Sequence, residues 1–275
     1  MKVRVITGAI LAAVLIPVFV IGGLLLDITL LLFCMVATWE LSRMFRKEVS
    51  TSKIGLGLEI VLSGGLFYAI RSYYQGYVGL EWVFFLIVFM VILGALLLVF
   101  LEDFGSKEFG NLFVSVMYPA IGFSAFSGLG AFENGLLVIG FLFMVTIMTD
   151  TFAYIFGVRF GKHRLAVKIS PKKSIEGSIG GTISAIILTM AYISFVKLDF
   201  IGNIEMTILV SIVLIFVISC IGQIGDLVAS KLKRDHGIKD YSNLFPGHGG
   251  VMDRFDSAIF AAMVLMLITE VVGSL

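Results

Sequence analysis

The sequence predicts an all-α fold, a polytopic integral membrane bundle of about nine transmembrane helices with its N-terminus in the cytosol. Three observations predict it. Of 275 residues, 59% are hydrophobic and only 14% are charged, against about 45–50% and about 25% in a soluble domain. Apolar runs long enough to cross a bilayer recur along the whole chain. Nearly all Lys and Arg residues fall in alternate connections between those runs.

A spanning helix needs roughly 20 mainly apolar residues. Such runs lie at about 6–26, 28–45, 54–70, 82–101, 110–130, 135–157, 178–196, 204–228 and 257–273. The first follows MKVR, but it outlasts a signal-peptide core and no small-x-small cleavage site follows it, so it reads as a retained helix. Asp27 alone separates it from the second, which implies a tight hairpin or one long broken segment. The third is short and glycine-rich and is the weakest of the set. The next three are continuous and greasy. The sixth carries Asp150, seven residues before Gly157, so about 10 Å inside the cytosolic end at roughly 1.5 Å per residue. An ionisable group at that depth is costly and usually faces a polar cavity. The eighth run continues past the bilayer as the helical stretch DLVASKLKR. Cys34 and Cys220 sit inside apolar runs as small core residues, not as a disulfide. Glu40, Glu59 and Glu270 lie in or near spans without a local polar cluster and read as structural.

Charge tests the count independently. With the N-terminus inside, the inside segments hold Lys2 and Arg4; Arg43, Arg46, Lys47 and Lys53; Lys107; Arg159, Lys162, Arg164, Lys168, Lys172 and Lys173; and Lys231, Lys233, Arg234, Lys239 and Arg254. Only Arg71 and Lys197 of the 20 Lys and Arg residues fall outside. Adding or removing one span would scramble that segregation. The outer connections are short, and no soluble domain is expected. The chain is expected to divide into N-terminal helices, 1–134, and a transmembrane region, 135–275, that carries two polar cytosolic loops at 158–181 and 225–257 and with them any site.

Those loops are larger than a connection needs. In the first, Ser174-x-Glu176-Gly177 reads as a capping-box-like helix start. A helix N-terminus beside Lys172 and Lys173 suits a phosphate. In the second, Asp226, Ser230 and Lys233 fall on one helical face. Gly237, Pro246, Gly247, Gly249 and Gly250 then break the helix and let backbone amides approach a ligand. Asp253 and Asp256 open the last span beside Arg254. Carboxylates at a helix start complement its dipole, but Asp226, Asp253 and Asp150 together, near so many cations, suit a Mg²⁺–nucleotide phosphate site. His163, His236 and His248 form no metal-ligand pattern. His248, set between glycines, suits orienting a phosphate, proton transfer or structuring the loop. No P-loop, CxxC pair or GxSxG elbow is present.

SKLKRDHGIKDYSNLFPGHGGVMDRFD, Ser230 to Asp256, resembles the signature of the phosphatidate cytidylyltransferase (CDP-diacylglycerol synthase) family. That signature runs S-x-x-K-R, K-D, P-x-H-G-G, x-x-D-R-x-D, and every fixed position is met. Two further pieces are similar to family segments. One is Asp150 with Ala153-Tyr154 and Phe160-Gly161-Lys162; the other is Ser170-Pro171 followed by Lys-Ser-x-Glu-Gly. Ser174 and Ile175 stand where many members have Thr and an aromatic residue. The resemblance is strong over roughly 140–257, whereas the first five spans match only in being hydrophobic.

The resemblance implies attack of phosphatidate on the α-phosphorus of CTP, giving CDP-diacylglycerol and pyrophosphate. It implies Mg²⁺, with Mn²⁺ as the alternative and a second cation in reach, on Asp226 and Asp253 with Asp150 and Asp256. Lys233, Arg234, Lys239 and Arg254, with Asp240 and His248 of the signature, would act at the CTP phosphates or the lipid headgroup. Lys172, Lys173, Ser174, Glu176, Gly177, Ser230, Gly249 and Gly250 would bind substrate. Expected partners are CTP, bilayer phosphatidate and a second copy in a homodimer, with no nucleic acid. A bacterial plasma (inner) membrane is the expected location, the site facing the cytosol. The alternatives are a CTP-dependent polyprenol or phytol kinase, a CTP transferase acting on ether lipids, and a transporter. Against the last, polar residues gather at one face and no inverted repeat is visible.

Overall fold

The computed structural model describes residues 2–46 and 53–274, and side chains from Ile6 to Arg46 and from Gly55 onward. Lys47 lies outside the described residues, as do the side chains of Lys2, Arg4 and Lys53, all counted above among the inside charges. The described residues hold nine helices, each coinciding with one expected run, and two small hairpins. Seven of the helices are long and apolar enough to cross a membrane. The protein is a multi-pass, all-α membrane protein.

The chain forms two compact units, residues 1–131 with 236–254, and residues 132–235 with 255–275. The segment 236–254, expected within the C-terminal region, thus groups with the first helices.

In the first unit, α1 (Lys2–Ile21) and α2 (Gly23–Phe45) are parted at Gly22 and Gly23, not at Asp27. Both glycines have positive φ, 64° and 53°, which side chains disfavour. Asp27 lies inside α2, where Arg71 Nε donates to its Oδ2 at 2.9 Å and Ser127 donates to its Oδ1. That pairing explains how Arg71 stands outside the positive-inside pattern: its charge is matched. α3 (Lys53–Tyr74), α4 (Leu80–Phe100) and α5 (Ser106–Gly130) complete the set. Leu30, Cys34, Ala37 and Leu41 recur at spacings of three and four along α2 and are fully buried, as are Val116, Ala120 and Phe123 on α5. α4 is apolar all round and mostly exposed within its unit, as a lipid-facing helix would be.

The second unit contains α6 (Gly135–Phe160), hairpin β1 (Arg164–Ala166) and β2 (Ser170–Ser174), and α7 (Ile175–Val196). Hairpin β3 (Phe200–Ile201) and β4 (Ile204–Glu205) then leads to α8 (Ile208–Asp235). α9 (Met252–Gly273) joins this unit from Phe255 onward. The eighth run was expected from 204, but its first residues turn in the β3–β4 hairpin. α6 and α7 are in intimate contact through glycines. A Cβ on Gly177 would stand 2.6 Å from the Ala153 carbonyl, and one on Gly181 2.5 Å from that of Thr149. Small residues permit such approach where lipid supplies no hydrophobic drive between helices.

Candidate active site

The expected site residues divide between the units. Lys239, Asp240, His248, Gly249, Gly250, Asp253 and Arg254 belong to the first; Asp226, Ser230, Lys233, Arg234 and Asp256 belong to the second, with Asp150 and Lys172 to Gly177.

In the first unit, α8's successor loop turns at Phe245-Pro246-Gly247-His248-Gly249. The Phe245 carbonyl accepts from His248 N at 2.8 Å and Gly249 N at 3.1 Å, and Phe245 N donates back to the Gly249 carbonyl at 2.9 Å. Gly249 has φ 83°, and a Cβ there would stand 2.6 Å from Asp253 Oδ2. That oxygen accepts from Tyr241 N at 2.8 Å and Gly250 N at 2.9 Å. Asp253 is buried, so part of its work is to hold the loop. His248 Nδ1 is buried with no hydrogen-bond partner.

Glu40 of α2 was expected to be structural and away from polar groups. The structure overturns the second half of that reading. Its Oε1 accepts from Ser242 Oγ at 2.6 Å and Val251 N at 3.0 Å, and its Oε2 from Met252 N at 2.9 Å. One turn along α2, Arg43 lines a polar cavity of about 390 Å³ together with Gly237, Lys239, Asp240, Ser242 and Asn243. Neither Glu40 nor Arg43 carried a local sequence signal. Arg254 is exposed at the start of α9.

The second unit gathers the remaining acids. Lys173, from β2, pairs with Asp226 Oδ2. Ser230 Oγ donates to Asp226 Oδ1 at 3.3 Å, as the shared helical face predicts. Ser257 Oγ donates to Asp150 Oδ2 at 3.3 Å, and Ser257 N to Asp256 Oδ1 at 2.8 Å. Asp226, Asp150 and buried Lys233 all lie within electrostatic reach of Asp256. Gly225 makes this convergence sterically feasible, because a Cβ there would stand 2.7 Å from the Asp256 carbonyl.

Beside the acids runs a ladder of buried polar groups. Ser219 Oγ bonds Thr149 Oγ1 at 2.8 Å and Thr182 Oγ1 at 2.9 Å. Gln223 Nε2 donates to Thr182 Oγ1 at 3.1 Å, and Ser178 Oγ to Gln223 Oε1 at 2.5 Å. The ladder ties α6, α7 and α8 together next to Asp150 and Asp226.

Ser174 caps α7 as expected, accepting from Gly177 N at 3.1 Å. Glu176 does not complete a capping box. It instead accepts from Lys162 N at 3.1 Å and His163 N at 3.2 Å, and contacts His163 Nδ1 at 2.6 Å. The Gly177 amide is engaged by Ser174 and its Cα face by α6. Lys172 and Arg234 are exposed.

The donor chemistry of Asp150, Asp226 and Asp256 suits a hard divalent cation. Formally, three carboxylates face two ammonium groups, Lys173 and Lys233. In the conformation described, no three His, Cys, Asp or Glu side chains among the described residues form a ready-made metal cage.

A family model described as "Cytidylyltransferase family" matches residues 2–272. The chain belongs to the cytidylyltransferase family. It is similar to proteins named phosphatidate cytidylyltransferase from Staphylococcus haemolyticus, 36% identical, and Staphylococcus aureus strain COL, 36% identical. A third, from Staphylococcus epidermidis strain ATCC 12228, is 35% identical. In all three cases 98% of each chain is covered. These cytidylyltransferase relatives span the N-terminal helices as well as the signature, so family membership extends to the region that motifs alone could not assign.

Proposed function

We propose that this chain transfers the cytidine monophosphoryl group of CTP to phosphatidate at the cytosolic face of a bacterial plasma membrane. A phosphate oxygen of phosphatidate forms a bond to the α-phosphorus. The bond from that phosphorus to the β-bridging oxygen breaks, and pyrophosphate leaves with the electron pair. CDP-diacylglycerol remains in the bilayer. No protein nucleophile is required, since the lipid phosphate already is one.

The observation that carries the reading is the convergence of Asp150, Asp226 and Asp256 with Lys173 and Lys233 at the ends of membrane helices. Two anions must meet, so neutralising and positioning their charge dominates catalysis. Asp226, with Asp150 and Asp256, would hold a divalent cation, Mg²⁺ by its fit to carboxylate oxygens. Such an ion supplies charge neutralisation at phosphate oxygens when bound. Lys173 now neutralises Asp226 and is placed to turn to a phosphate instead. Lys233, buried beside Asp256, contributes a fixed positive field. In the first unit, Lys239 and Arg43 line a polar cavity suited to a phosphate group. Asp253, carried by the first unit, is a proposed ligand on the family resemblance alone; the bonds it makes hold its loop. Lys172, Arg234 and Arg254 remain proposed phosphate contacts. Assembly as a homodimer rests on the family resemblance alone.

Purified protein in detergent, given phosphatidate, labelled CTP and Mg²⁺, should yield CDP-diacylglycerol and pyrophosphate in equal amounts. Formation of CDP with a phosphorylated lipid alcohol, or no turnover across phosphatidate preparations, would overturn the reading.

A further inference from the structure

We infer that Glu40 is a positioning residue, holding the signature loop in its reactive shape from helix α2. The inference rests on the proposed reaction and gives the N-terminal helices a part in it beyond anchoring.

Glu40 lies in the C-terminal part of the apolar helix α2 and is fully buried. A buried carboxylate is expensive unless its oxygens are satisfied. Here both are, and the groups that donate to them lie in the loop or at the start of α9. Ser242 precedes the Pro-Gly-His-Gly turn; Val251 and Met252 follow it. One side chain therefore closes both ends of the turn-bearing segment. Val251 and Met252 also present amides at the start of α9, the kind of donors a helix leaves unpaired.

Asp253 takes the interleaved partners, Tyr241 N and Gly250 N. The two carboxylates thus grip alternate positions, 242, 251 and 252 against 241 and 250. Gly250 lies against Glu40 so closely that an added Cβ would collide with the carboxylate. That accounts for a glycine at a position whose φ is not in the left-handed region. The loop gripped in this way carries Lys239, Asp240 and His248 and leads into α9 with Arg254. Glu40 itself has no reason to touch substrate, because its oxygens are spent on the loop.

The chemistry separates the substitutions. Glu40→Gln keeps size but has one acceptor oxygen, and it points an amide donor at backbone N–H groups. Glu40→Asp keeps the charge but falls a methylene short. Ser242→Ala removes a single bond and spares the core.

The test pairs hydrogen exchange of the purified full-length protein with its kinetics. In Glu40→Gln, exchange should speed up in peptides covering Tyr241 to Met252, while the remaining helices keep wild-type protection. kcat should fall by about 10–100-fold, as for loss of a supporting hydrogen bond behind a reacting group, with KM values changed by about twofold or less. Ser242→Ala should shift both readouts in the same direction by less, which keeps the test valid if Glu40→Gln does not fold. Unchanged loop exchange in both variants would overturn the inference, as would faster loop exchange with wild-type kcat. A fall in kcat matched by loss of protection throughout the protein would also overturn it, reducing Glu40 to a general stability role. If wild-type protein forms no CDP-diacylglycerol, the reaction reading fails and the catalytic half of the inference goes with it. The exchange arm would still decide whether Glu40 holds the loop.

Discussion

Asp226 just precedes the signature and Asp253 lies within it, yet the two live in different chemical company. Asp226 meets charges: Lys173 directly, with Asp150 and Asp256 in electrostatic reach. Asp253 meets backbone: one of its oxygens accepts two amides that fix a turn. A carboxylate surrounded by mobile or competing charge is free to change partners during a reaction. One spent on main-chain N–H groups is committed to shape. Two nearby aspartates thus differ in what they are bound to, charged side chains in one unit and loop backbone in the other, where Glu40 grips the same loop.

The sharpest way to break the comparison is Asp226→Asn. If Asp226 does chemistry, kcat should fall by about 10²–10³-fold, the scale of losing a preorganised electrostatic group. Its pair with Lys173 is partly exposed, so thermal unfolding in detergent should move little. A large loss of stability with a modest loss of rate would place Asp226 in the architectural class instead.

Asp253→Ala, which removes the accepting oxygen, should give the opposite profile. Its buried Oδ2 serves two amides, and leaving a buried donor unsatisfied costs about 1–3 kcal/mol. Unfolding should therefore occur earlier, and hydrogen exchange around Tyr241 and Gly250 should quicken. Full stability combined with a loss of cation dependence would assign Asp253 to the metal alone.

The two regions also differ in how much the sequence disclosed. Nine apolar runs announced nine helices, because bilayer thickness imposes a length that composition reveals. Asp226 and Ser230 were legible as a pair because helical spacing is local. Glu40 was not, since its partner Ser242 lies 202 residues away along the chain. No local pattern encodes that meeting. The break at Gly22 was hidden for another reason: glycine is so common in membrane helices that two more gave no warning. Gly177 was read from its place at a helix start beside lysines; its close contact with α6 is tertiary and appears only in the fold.

Ser174→Ala sharpens the comparison on the second unit's architecture. The hydroxyl caps α7 through Gly177 N, so its loss should cost about 1 kcal/mol. The hairpin that presents Lys173 ends at this residue. A small fall in stability should therefore come with a measurable rise in KM for CTP, if Lys173 meets phosphate. A stability loss without any kinetic change would detach the cap from the site.

The smallest expected effect belongs to the ladder beside the acids. Thr182→Val removes the acceptor used by Gln223 and the partner of Ser219 while nearly preserving volume. Hydrogen bonds between membrane helices average about 0.6 kcal/mol, because a helix separated in lipid finds other partners. Two lost bonds should therefore cost on the order of 1 kcal/mol, with kcat close to wild type. If the ladder merely ties α6, α7 and α8 together, restoring a hydroxyl with Thr182→Ser should recover stability. A substantial fall in kcat at unchanged stability would mean something stronger. Thr149 adjoins Asp150 and Gln223 lies one turn before Asp226, so the ladder would then be setting the acids' positions, and the division between architecture and chemistry would not hold within this unit.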